Sequence, residues 1–67
     1  MEYSNSRMNE IIGEYIHDEK HRAIMRRRMM DNITLERLAE EFELSVSQVK
    51  RIIWKNMNIV FRHLGTG

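Results

Sequence analysis

An all-α domain is the fold that three features of this 67-residue chain predict. Proline is absent and glycine occurs only at Gly13, Gly65 and Gly67, so the tight hairpins that join strands have little to build on. Apolar residues recur at the three-and-four spacing of a buried helical stripe. Short polar residues suited to helix starts stand ahead of those stripes, at Asn5 or Ser6, Asp18, Thr34 and Ser45. The expected architecture is a small four-helix domain over residues 6–64, with a helix-turn-helix at 34–55 and a long C-terminal helix. Residues 1–5 and 65–67 are expected to fray.

The first helix runs from Asn5 or Ser6 to about Ile16. Its stripe is Met8, Ile11, Ile12, Tyr15 and Ile16, the i, i+3, i+4, i+7, i+8 pattern of one buried face. Gly13 lies off that stripe and weakens the helix by roughly 1 kcal/mol relative to alanine. The second helix starts near Asp18, where Asp18 and Glu19 suit the positive end of the helix dipole. It extends to about Met30 and buries Ile24, Met25 and Met29, with Met30 at its margin, before a break at Asp31-Asn32.

The next stretch, Thr34 to Lys55, organises the rest. Leu38, Ala39 and Phe42 form one short stripe, Leu44 sits in a corner, and Val49, Ile52 and Ile53 restart the pattern. Thr34 caps the first of these helices. Ser45 and Gln48 have the spacing of a capping box, in which each side chain satisfies the other's backbone N–H. Ala39 leaves room where two steeply crossing helices approach most closely. The last helix extends from Val46 to about His63, with Val49, Ile53, Val60 and Leu64 on one face and Ile52 and Met57 on its shoulders. Ser47, Arg51, Asn58 and Arg62 lie opposite, and the first helix is expected to pack across the second half of this long one.

The signs of charge separate along this unit. Ile33 to Leu44 holds one base, Arg37, against four acids, whereas Ser45 to the end holds Lys50, Arg51, Lys55 and Arg62 and no acid. The acid-free helix is the one that a helix-turn-helix inserts into the DNA major groove. Its first turn faces the base edges, which brings Val46 and Ser47 closest, with Lys50 and Arg51 one turn further on. Lys50 or Arg51 reaches guanine O6 and N7, and Val46 meets a thymine methyl. Thr34 and Ser45 face phosphates through their helix N-termini, and Lys55 adds a further phosphate contact. Arg26, Arg27 and Arg28 form a separate basic run, read either as a solvated outer face or as phosphate contacts flanking the groove.

From Arg22, the run R-A-I-M-R-R-R-M-M-D-N-I-T-L-E-R-L-A-E-E-F-E-L-S-V-S-Q-V-K-R-I resembles the fourth conserved region of bacterial RNA polymerase sigma factors. The likeness rests on Arg22 with Ile24 and Met25, Arg28, Thr34-Leu35-Glu36, Leu38-Ala39, Phe42, Leu44-Ser45 and Val49. It covers Arg22 to about Leu64. It implies a helix-turn-helix that reads duplex DNA, with base reading carried onto Val46, Ser47, Lys50 and Arg51 and with RNA polymerase as a larger partner. It also implies that Arg28 pairs with acids of the following helix, for which Glu36 and Glu40 are available. The corner residue is Glu43, where the broader helix-turn-helix family favours glycine. A non-glycine residue in a left-handed conformation carries a modest cost.

Other chemistries find little footing. Without cysteine there is no disulfide frame and no cysteine-based zinc site. The pair His17 and His21 has the spacing of a zinc-protease motif but lacks its glutamate and a third ligand, and it straddles a helix start. No nucleophile–base pair, glycine-rich phosphate loop or acid–base dyad is present, so neither enzyme activity nor a cofactor is expected. No apolar run approaches the roughly 20 residues of a membrane span, and a cytoplasmic protein is expected. Trp54 and Phe61 lie seven apart on the edge of the polar face. Burial beneath the first helix is the favoured expectation for them, ahead of a self-association seam and of stacking on bases.

The functional expectation is a DNA-binding protein, a small bacterial or phage transcription regulator or sigma-like accessory factor. Homodimerisation is compatible with it. Two alternatives stand beside it: a phage or mobile-element protein for DNA packaging or recombination, and a protein-interaction module on the same scaffold. The formal net charge of only +1 supports the last of these, because strong non-specific DNA binders are usually more basic.

Overall fold

The computed structural model describes residues 5–65, which form four helices: α1 (Asn5–Tyr15), α2 (Glu19–Met29), α3 (Leu35–Phe42) and α4 (Val46–Gly65). No strand occurs among the described residues. The expectation of fraying at 1–4 and 66–67 lies outside them. Asn5 already belongs to α1 and Gly65 still belongs to α4, so both helices run slightly beyond the expected ends.

The long α4 is the spine, packing against each of the other three helices, while α2 also touches α1 and α3. The core holds Ile11, Ile12 and Ile16 from the first segment, Ile24 and Met25 from α2, Leu38 and Ala39 from α3, and Val49, Ile53, Val60 and Leu64 from α4. Completely burying an aliphatic side chain of this size contributes roughly 1.5–3 kcal/mol. Among the described residues, seven side chains reach that limit, including Ile11, Ile24, Leu38 and Val60. Met29 and Met30 are only partly buried at the end of α2 and pack against this core from its edge.

Hydrogen bonds from side chains finish the helix ends. Asp18 caps α2 by accepting from the His21 amide at 3.1 Å, and that bond is the main reason its carboxyl is held below the ordinary aspartate value. Arg22 reaches back from α2 to donate to the carbonyls of Ile16 at 2.9 Å and His17 at 3.2 Å, closing the α1–α2 corner. At the far end of α1, Tyr15 stacks on His63 of α4 with ring centroids 3.6 Å apart and planes within 9°.

Two expectations about side chains are corrected. Trp54 and Phe61 are not covered by α1: they are 68% and 48% exposed. The isoleucine stripe of α1 contributes to the same core as Val60 and Leu64, and Trp54 and Phe61 project from α4 well around the helix from that face. The second correction concerns the arginines. Arg28 does not pair with Glu36 or Glu40; its guanidinium donates to the Ile33 carbonyl at 2.8 Å. The residue that grips α3 is Arg27, one helical step away, which binds Glu41 with contacts of 2.8–3.1 Å and also reaches Asp31 at 3.1 Å. Glu41 and Asp31 raise the arginine's already high pKa further.

Buried among the apolar residues of α4 is Asn56, only 3% exposed. Its amide nitrogen donates to the Ile52 carbonyl at 2.8 Å and lies 3.3 Å from His21 Nδ1, within hydrogen-bonding distance of the ring. Periodicity alone places residue 56 on the inward face, but its polar side chain hides it from a search for apolar stripes.

Candidate nucleic-acid interface

The α3–α4 unit is set by three local features. Thr34 is extended and accepts from the Arg37 amide at 3.2 Å, which fixes the start of α3. At the other end Glu43 takes the left-handed conformation, with φ 55° and ψ 47°. The Leu44 N–H then returns to the Ala39 carbonyl at 2.9 Å and the Glu43 N–H to Glu40 at 3.4 Å, the paired bonds of a Schellman ending. Glutamate here carries the backbone cost that glycine would avoid. Ser45 and Gln48 form the reciprocal capping box that their spacing predicts, with bonds of 2.9 and 3.1 Å.

With that start fixed, α4 divides into an inward and an outward face. Val49 and Ile53 are buried, whereas Ser47, Lys50, Arg51 and Lys55 are exposed and Val46 is 38% exposed. Ser47, Arg51 and Lys55 follow one another at i+4 and make one row along the helix. Val46, Lys50 and Trp54 make the adjacent row. Thr34 and Ser45 are also exposed, with their hydroxyls already accepting from their own helices. What each helix start still offers outward is its free backbone N–H groups.

The electrostatics of this face are simple. Among the described residues, Lys50, Arg51 and Lys55 enter no ion pair and no side-chain hydrogen bond. The run of Arg26–Arg28 behaves oppositely. Arg26 donates to Asn9 Oδ1 at 2.6 Å, Arg27 clasps Glu41, and Arg28 holds the Ile33 carbonyl. All three are partly buried. They tie α2 to its neighbours, which is neither of the roles read from the sequence.

Sequence reasoning did not connect Trp54 with the start of α3. Trp54 and Met57 line a shallow groove together with Arg28, Leu35, Lys50 and Ile53. The same two side chains continue into a second depression bounded by Asn58 and Phe61. The heptad-like spacing of 54, 57 and 61 was the available signal. The opposite flank has a cleft containing His17, Asp18, His21 and Asn56. No group of three or more histidine, cysteine or acidic side chains is gathered for a metal ion among the described residues. Nor is any helix there long and apolar enough to cross a membrane. No protein-family model, curated protein or solved structure matches the chain.

Proposed function

We propose that this chain binds duplex DNA, with α3 and α4 acting as a helix-turn-helix and the first three turns of α4 entering the major groove. The observation that carries this reading is the set of exposed, unpartnered cations Lys50, Arg51 and Lys55 on a helix that contains no acid. A duplex is a polyanion with acceptor-rich guanine edges, so it supplies the partners these side chains lack. Val46 and Ser47 are short enough to let the helix backbone approach the bases. Ser45 and Thr34 place free N–H groups where phosphate oxygens run. The role is that of a small cytoplasmic transcription regulator or sigma-like accessory factor, with RNA polymerase as a larger partner.

Selection from a random duplex library tests the proposal. The expected result is an enriched sequence motif with the wild-type chain and none with Lys50→Ala/Arg51→Ala, both proteins retaining the same helical spectrum. Equal recovery of random sequence by both would refute it. A second reading, an interaction module for another protein, is favoured by one observation: Trp54 and Phe61 leave large apolar surfaces in solvent. That reading expects no duplex enrichment from either protein.

A further inference from the structure

We infer that the exposed Trp54–Phe61 strip of α4 is the seam of a twofold homodimer in which two α4 helices pack antiparallel. Trp54, Met57 and Phe61 follow the 3-then-4 spacing of a two-helix seam; Trp54 and Phe61 are exposed, and Met57 between them is only partly buried against the core. Their placement is self-complementary. Reversing α4 about the midpoint between Met57 and Asn58 sets Trp54 of one copy against Phe61 of the other, and the converse, as an isologous contact requires. The same operation brings Lys50 beside Gly65, the last described residue of α4 in the other copy, where the negative end of the helix dipole suits an ammonium. Lys50 has no ion-pair partner within its own chain among the described residues. A second copy therefore meets both the apolar and the charged needs of this strip, and in that dimer Arg51 and Lys55, not Lys50, are the cations left for a duplex.

The rest of the geometry agrees with that occupant. Arg51 and Lys55 lie on α4 roughly a quarter-turn or more to one side of the strip, by about 100° of rotation per residue. A twofold axis perpendicular to both helices turns those flanks the same way, so the pair presents one cationic surface. At about 1.5 Å per residue, the two Val46 positions then stand about 34 Å apart along the helix axes. That is close to one turn of B-DNA, the half-site spacing of dimeric helix-turn-helix proteins. This last agreement rests on the DNA-binding reading; the seam itself does not.

Sedimentation without DNA tests the seam independently of nucleic-acid binding. The wild-type chain is expected to be a dimer at high micromolar concentration, and its single tryptophan should shift its emission to the blue as the dimer forms. Trp54→Ala and Phe61→Ala should each weaken association at least about tenfold while the circular dichroism stays unchanged, since both residues are exposed in the monomer. Spin labels on Ser47→Cys should report about 32 Å between copies, from the same helical rise. A chain that stays monomeric, a dimer indifferent to both substitutions, or a label separation under about 15 Å, as a parallel pair of helices about 10 Å apart would give, overturns the inference. A dimer that forms as described but binds no duplex leaves the seam standing and refutes the DNA reading alone.

Discussion

The α2 run Arg26–Arg28 and the α4 set Lys50, Arg51 and Lys55 are both basic, and they do opposite work. The first is the denser in sequence, three consecutive arginines, yet every guanidinium is committed to another part of the same chain. The second is sparser and entirely uncommitted. The difference follows from neighbours. Turned toward α2 is the acidic α3, whose Glu41 accepts Arg27, and α1, whose Asn9 accepts Arg26. Gly13 contributes by its smallness, since a Cβ there would lie 3.2 Å from the Arg26 guanidinium. Nothing acidic lies on α4, so Lys50, Arg51 and Lys55 find no counter-charge on their own helix. Local density of charge is therefore a poor guide to a binding face, and unmet charge is a better one.

The largest expected effect comes from removing the uncommitted set. Lys50→Ala/Arg51→Ala should lower duplex affinity by about 10- to 100-fold, the loss of one good base contact and its neighbour, with an unchanged melting temperature. An equal loss in the α2 variant Arg27→Ala would break the comparison. Next in size is Ser45→Ala, which removes one half of the capping box. A loss of about 1 kcal/mol is expected, a fall in Tm of about 4–8 °C for a domain of this size, with weaker duplex binding because the first turn of α4 frays. Glu43→Gly should act in the opposite direction, stabilising by about 1 kcal/mol through release of the left-handed strain. Urea unfolding measures both changes. Arg27→Ala should lower Tm through loss of the α2–α3 clasp and leave duplex affinity within about twofold, as befits a partly exposed ion pair remote from the interface.

The smallest effect concerns pH. Because the amide of His21 holds the Asp18 carboxyl below the ordinary aspartate value, the cap stabilises the fold above that value and fades as the pH falls through the lowered folded-state pKa. Asp18→Asn keeps a capping oxygen without a charge, so it should flatten this part of the acid limb of stability. Acid titration followed by circular dichroism would show it. Duplex affinity at neutral pH should not change, which keeps the two basic regions separable.

Much of this molecule was legible in its residues because local rules act alone where the chain turns. Thr34 and the Ser45–Gln48 pair are read from spacing, and each forms the bonds expected of it; Asp18 is read only as a charge suited to a helix start, and its bond from the His21 amide adds to that. The inward faces follow from periodicity in the same way, except at Tyr15, which the stripe of α1 placed inside but which is exposed and stacks on His63 at the end of α4. What escaped depends on how elements meet. Which of three arginines faces α3 is decided by a rotation of one residue, and sequence spacing does not fix that phase. Whether α1 covers Trp54 depends on where it crosses α4, a choice made by the packing of Ile11, Ile12 and Ile16. Asn56 was invisible for a third reason: it is a polar residue whose needs are met inside the core, by its own helix and by His21. The candidate interface was legible as residues, while its freedom from internal partners had to be seen in three dimensions.

The most direct measurement is the salt dependence of duplex affinity for the wild-type chain, Lys50→Ala/Arg51→Ala and Arg27→Ala. With three cations of α4 near phosphates or bases, log affinity should fall against log salt with a slope of about −2 to −3 for the wild type. The α4 variant should have a slope nearer zero and the α2 variant the same slope as wild type. A wild-type slope of zero, or an α2 variant that flattens it as much as the α4 variant does, would contradict the assignment of the uncommitted bases to DNA.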